Sequence, residues 1–126
     1  MMLDWQSLQS QLPLLDEDQV SRMEQDLSRP VLARLLQLFL DDGQTQGEAL
    51  RQAFLAQDAK QMALWCHSLT SACGSYGALR CQYLSEKLEQ ACKQEDGVLM
   101  AAQYAAWQQA LDETLFLVSE RLKEMD

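Results

Sequence analysis

Isoleucine is absent from this chain, and valine and threonine are few. β-branched side chains favour a pleated sheet, so their scarcity argues against strands. Only two prolines and five glycines interrupt the 126 residues. The stretches between them are rich in Ala, Leu, Gln and Glu, which are strong helix formers. No apolar run approaches the ~20 residues that a membrane-spanning helix requires. Asp4 interrupts the start, and no basic segment precedes an apolar one, so a secretory signal is not expected. Positive charge is also scarce: 10 Lys and Arg stand against 19 Asp and Glu, for a net charge of −9. Such a chain repels phosphate backbones and lacks the basic face of a membrane-surface helix, which excludes nucleic-acid and membrane partners.

The four cysteines, Cys66, Cys73, Cys81 and Cys92, form no CxxC pair. The single histidine cannot complete a zinc set, so no metal site is expected. The cysteines fall on or beside apolar stripes, where a free thiol behaves as a small hydrophobe. They read as reduced core residues of a cytoplasmic protein. No glycine-rich phosphate loop follows a strand, so a nucleotide site is absent and no kinase activity of the chain's own is expected.

The periodicity predicts one all-α domain. Residues 1–15 form an N-terminal arm, with Leu3, Trp5, Leu8 and Leu12 available to tuck against the body and Pro13 ending any helix there. Residues 16–126 form the bundle. A first short helix covers Asp16–Leu27. A second runs from about Pro30 to Ala56, with Ser28 as N-cap and Val31, Leu35, Leu38, Phe39, Leu50, Phe54 and Leu55 as its apolar face. Gly43 and Gly47 within it mark either a bend or a close contact. Asp58 and Gln61 resemble a capping box for a third helix, which ends near Ser75 with Gly77 as a positive-φ residue behind it. A fourth runs from about Ala78 to Lys93, with Cys81, Leu84, Leu88 and Ala91 inward. After the turn at Glu95-Asp96-Gly97, a fifth continues to Lys123 with a stripe from Met100 through Trp107 and Val118 to Leu122. Short connections make successive helices antiparallel, giving an up-down four-helix bundle with an additional short N-terminal helix or arm.

The third helix carries the chemistry. On a helical wheel Met62, Trp65, Cys66, Leu69, Ala72, Cys73 and Tyr76 fall within roughly 60° of Leu69, an amphipathic stripe that faces a core. His67 lies ~160° away, on the wet side. Lys60, Ser71, Gly74 and Ala78 project within about 40° of it, so the side chains one and two turns further on are small. A lone histidine is most often an incidental surface residue. The lack of bulk around this one leaves room for another protein. A free imidazole, with an unperturbed pKa of about 6.5, keeps a nitrogen lone pair at neutral pH, which makes the side-chain type a usable nucleophile. Between Ala59 and Ser85 there is no Asp or Glu, a carboxylate-free window that holds much of the expected core.

The segment from His67 to Ala78 resembles the motif of histidine phosphotransfer (HPt) domains, which reads His-x-Leu-Lys-Gly followed by a small residue and Gly-Ala. His67, Leu69, Gly74, Gly77 and Ala78 match it. Leu84, Leu88 and Glu89 resemble the family's leucine stripe and Leu-Glu pair. Leu35 to Asp41 resembles its Leu-x-x-x-Phe-Leu segment, and Ala56-Gln57-Asp58 the turn before the histidine helix. The resemblance runs from about Leu3 to Leu122. Thr70 stands where the family usually has lysine, Ser71 where it usually has glycine, and Cys66 where it often has alanine.

The resemblance implies a phosphorelay carrier, monomeric and cytoplasmic. His67 accepts a phosphoryl group from the aspartate of a receiver domain, as in a hybrid sensor histidine kinase. It then passes the group to the receiver domain of a response regulator. The chain needs no cofactor, because the receiver brings the Mg2+. Ala63, Leu64, Ser71, Gly74 and Ser75 form the docking patch, and Leu69, Gly77 and Ala78 are structural. Thr70 offers a neutral hydrogen bond in place of a charge, and Lys60 is the cation expected to substitute in part. The alternative is a degenerate HPt-like bundle that binds a receiver or kinase without carrying phosphate. An unrelated structural bundle is the third reading.

Overall fold

The computed structural model describes residues 4–125. Leu3, one of the residues expected to anchor the arm, lies outside them. Six helices follow in order: α1 (Trp5–Gln11), α2 (Glu17–Asp26), α3 (Arg29–Leu55), α4 (Ala59–Tyr76), α5 (Leu79–Gln94) and α6 (Gly97–Glu124). No strand occurs among the described residues. Residues 56–58, 77–78 and 95–96 make the three tight connections of an up-down bundle of α3 to α6. α4 packs between α3 and α5, and α6 between α5 and α3. α4 and α6 are therefore diagonal, and each turns one face away from the bundle.

The caps explain where the helices start. Asp4, Asp16, Asp58 and Asp96 each accept a hydrogen bond from the backbone N–H three residues on, satisfying a donor that has no partner inside its helix. Asp58 makes only half of a capping box: its carboxylate takes the Gln61 N–H at 3.1 Å, while its own N–H donates to the Ala53 carbonyl. Ser28 occupies the N-cap of α3 but makes no side-chain cap bond.

The core is continuous from Leu36 and Phe39 through Leu50, Met62, Leu69, Leu84 and Leu88 to Trp107 and Val118. Burying each large aliphatic side chain contributes roughly 1.5–3 kcal/mol. The stripe expected on α4 is buried or half-buried throughout. That of α3 needs correction. Val31, Leu38 and Leu55 are exposed, and the buried face is Leu36, Phe39, Leu40, Gly43, Gly47, Leu50 and Ala53. The two glycines belong to that face because α6 comes too close for a side chain. A Cβ on Gly43 would meet Leu115 Cδ2 at 2.8 Å, and one on Gly47 would meet Leu111 Cδ2 at 2.7 Å. They mark a close contact, and α3 runs through them unbroken.

Two short helices, rather than a helix and an arm, precede the bundle. α1 packs on α5, where Arg80 donates from Nε to the Leu12 carbonyl at 2.9 Å. α2 caps the end where α4 and α6 finish. Asp16 N–H donates to the Gly77 carbonyl at 2.7 Å, Gln19 Nε2 reaches the Gly74 and Ser75 carbonyls, and Arg121 of α6 pairs with Glu17 and Glu24.

Candidate functional site

His67 stands in the middle of α4, with its side chain 77% exposed. The residue before it, Cys66, is fully buried, and so are Leu69 and Cys73 on the same inner stripe. α4 ends at Tyr76 because Gly77 takes φ 89°, a left-handed conformation in which a side chain is strained. That ending removes Ala78 from the face of His67. The wheel projected it there, but the chain turns at Gly77, and Ala78 is buried as the N-cap of α5.

Around the ring, Leu64 is 62% exposed, Ser71 and Ser75 are exposed, and Ala63 is half-buried. Ser75 turns its hydroxyl back to the Ser71 carbonyl. Gly74 is half-buried rather than bare. The Gln82 amide of α5 lies over it, so close that a Cβ would meet Gln82 Nε2 at 2.8 Å. Its missing side chain makes room for α5. Thr70 donates its hydroxyl to the Cys66 carbonyl at 2.8 Å, the bond to the preceding turn that a threonine makes within a helix. Its proton is thereby engaged on the helix itself. Lys60 is exposed and forms no ion pair among the described residues.

The charged groups beside His67 come instead from α5. Glu89 Oε2 lies 3.4 Å from His67 Nδ1, and Lys93 Nζ lies 2.9 Å from the same oxygen. The carboxylate-free window therefore holds along α4 but not in space, because antiparallel α5 returns Glu89 to the level of His67. The Glu89 side chain is only 14% exposed, so it is screened by water far less than a surface carboxylate. Lys93, one turn on, is 67% exposed and pairs with the same oxygen. Sequence reasoning saw Glu89 as half of a Leu-Glu pair but gave it no role, and it did not single out Lys93. The usable signal was the registry of two antiparallel helices around the 77–78 turn, which puts 67 level with the late 80s.

Behind the ring, Cys66 and Cys92 face one another across the α4–α5 contact. The Cys92 thiol and burial push the Cys66 thiol far above its ordinary pKa. Cys81 is raised in the same way by Cys73 and burial. All four cysteines are free and buried. Among the described residues no three His, Cys, Asp or Glu side chains gather as a metal set, and no helix is long and apolar enough to cross a membrane.

The antiparallel bundle that carries this imidazole has counterparts among known proteins. Three solved structures share the fold. Histidine-containing phosphotransfer protein B (HptB) from Pseudomonas aeruginosa is 18% identical with a TM-score of 0.81, over 89% of this chain and 96% of that one. A rice candidate histidine-containing phosphotransfer protein is 17% identical with a TM-score of 0.70, over 95% and 89%. The maize histidine-containing phosphotransfer protein ZmHP2 is 20% identical with a TM-score of 0.66, over 91% and 93%. No curated protein sequence matches. The family model of the Hpt domain matches residues 34–115, a span that includes His67, Thr70, Glu89 and Lys93. By that match, the chain belongs to the Hpt domain family.

Proposed function

We propose that His67 is the phosphoryl-accepting residue of a multistep phosphorelay. It takes the group from the aspartyl phosphate of one receiver domain, as in a hybrid sensor kinase, and gives it to the receiver of a response regulator. The observation that carries this reading is the ring itself: 77% exposed on a packed helix, with Nδ1 against Glu89. A proton on Nδ1 faces that carboxylate and leaves the Nε2 lone pair as the nucleophile.

In the transfer, Nε2 attacks phosphorus in line with the leaving oxygen. The N–P bond forms, the P–O bond to the aspartate breaks, and the electron pair returns to that carboxylate. The ring gains positive charge as it attacks, and Glu89 stands where that charge is felt, on the far nitrogen. Phosphoryl transfer depends chiefly on positioning and charge. The receiver contributes the magnesium ion and acidic pocket. This chain contributes a fixed imidazole with little bulk around it, and Leu64, Ser71 and Ser75 frame the surface against which the receiver docks. Return to a second receiver is the same step reversed.

A second reading rests on Thr70. Its hydroxyl is engaged with the Cys66 carbonyl, so the position one turn after His67 supplies neither a charge nor a free donor to a phosphoryl group. That favours a bundle that docks on receivers without carrying phosphate. Incubation with a phosphorylated receiver separates the two. The carrier reading expects acid-labile label on His67, abolished in His67→Gln with receiver binding retained. Receiver binding without any label on the wild type would establish the second reading.

A further inference from the structure

We propose that Lys93, on α5, supplies the cation that stabilises the phosphoryl group on His67, replacing the lysine that Thr70 displaces from α4. The inference rests on the phosphotransfer reading above and concerns which residue serves that site. Three observations on the His67 face carry it. Thr70 is neutral, and its only proton is engaged with the Cys66 carbonyl. Lys60 lies on the same helix but has no ion-pair partner among the described residues. Among the described residues Lys93 alone is tied to the ring, through one shared oxygen: Nζ to Glu89 Oε2 at 2.9 Å, and Oε2 to His67 Nδ1 at 3.4 Å.

The charges require such a partner. A phosphoryl group on Nε2 adds negative charge to a ring whose other nitrogen faces a carboxylate that is only 14% exposed and therefore poorly screened. Without a neighbouring cation, Glu89 would repel the group it helped to install. Lys93 is 67% exposed on a flexible four-carbon stem, so its ammonium can keep Glu89 as one partner while turning another of its three protons to a phosphoryl oxygen. Acting on the transferred group and not on the ring, it would govern how well the group is held.

The test is the partition of label between the protein and a receiver at equilibrium, read for wild type, Lys93→Met, Lys93→Arg and Lys60→Met. Lys93→Met should shift label toward the receiver by about three- to fivefold, the size of an exposed ion pair. Lys93→Arg should restore the wild-type partition, and Lys60→Met should leave it unchanged. The shift should persist in a Glu89→Gln background, where neutralising Glu89 is no longer at issue. A Lys93→Met partition equal to wild type, a shift that vanishes with Glu89→Gln, or an equal effect of Lys60→Met would overturn the proposal while leaving the carrier reading intact. A wild type that takes no label overturns both. Melting temperatures of the variants separate a loss of fold from a loss of charge.

Discussion

Cys66 and His67 are adjacent in the chain, and both can act as nucleophiles, yet they occupy opposite chemical worlds. Cys66 faces α5, is fully buried, and has its thiol raised far above the range in which a thiolate exists at neutral pH. His67 points outward, 77% exposed, with a carboxylate behind it. One residue is ~100° on a helix, and that rotation decides which group meets a partner. The lesson is that reactivity here is a property of the face and not of the residue type. The more intrinsically nucleophilic side chain is the inert one.

That contrast can be broken most severely through the thiols. If the inner face is closed, native protein should resist alkylation by iodoacetamide at all four cysteines, at rates slower than in the unfolded chain by about a thousandfold or more, because access requires opening of the α4–α5 contact. Mass spectrometry of the modified chain reads this directly, and rapid native labelling of Cys66 would erase the distinction. A smaller effect separates packing from chemistry on the same helix. Leu69→Ala should cost about 2–5 kcal/mol of stability in urea unfolding, since Leu69 is 1% exposed in the core. The fraction still folded should accept label on His67 as wild type does; loss of labelling in folded Leu69→Ala would mean the two faces are not independent. The smallest effect tests the outer face alone. Thr70→Lys exchanges an engaged hydroxyl for a charge, and should slow loss of the phosphoryl group by about threefold. No slowing, measured as hydrolysis of phosphorylated protein, would mean that the cation from α5 already saturates the site.

The bundle was legible because its signal is local. The stripe from Met62 to Tyr76 repeats at helical spacing, Asp58 stands before α4, and Gly77 closes it. What failed was the part that depends on neighbours. Val31, Leu38 and Leu55 are apolar and suitably spaced, yet α3 is rotated so that Gly43 and Gly47 meet α6, and those leucines and valine turn outward. A wheel that rewards side-chain size gives two glycines no weight, although they fix the orientation. The site divided in the same way. The outward position of His67 follows from one helix taken alone. Glu89 and Lys93 could not be placed without the registry of α5 on α4, and the acid-free stretch in sequence concealed an acid in space. Ala78 was misprojected because the wheel continued past a residue where the helix had stopped.

The clamp formed by α2 has a consequence for recognition. Gln19 holds two carbonyls in the last turn of α4 and Asp16 the Gly77 carbonyl just beyond it, while Asp58 holds its first turn. A helix secured at both ends frays little, so an incoming partner meets the same surface at each encounter and spends little free energy ordering it. Under the phosphorelay reading proposed above, such preorganisation would suit brief, repeated contacts with successive receivers, since neither arrival nor departure has to wait for the helix to form or melt.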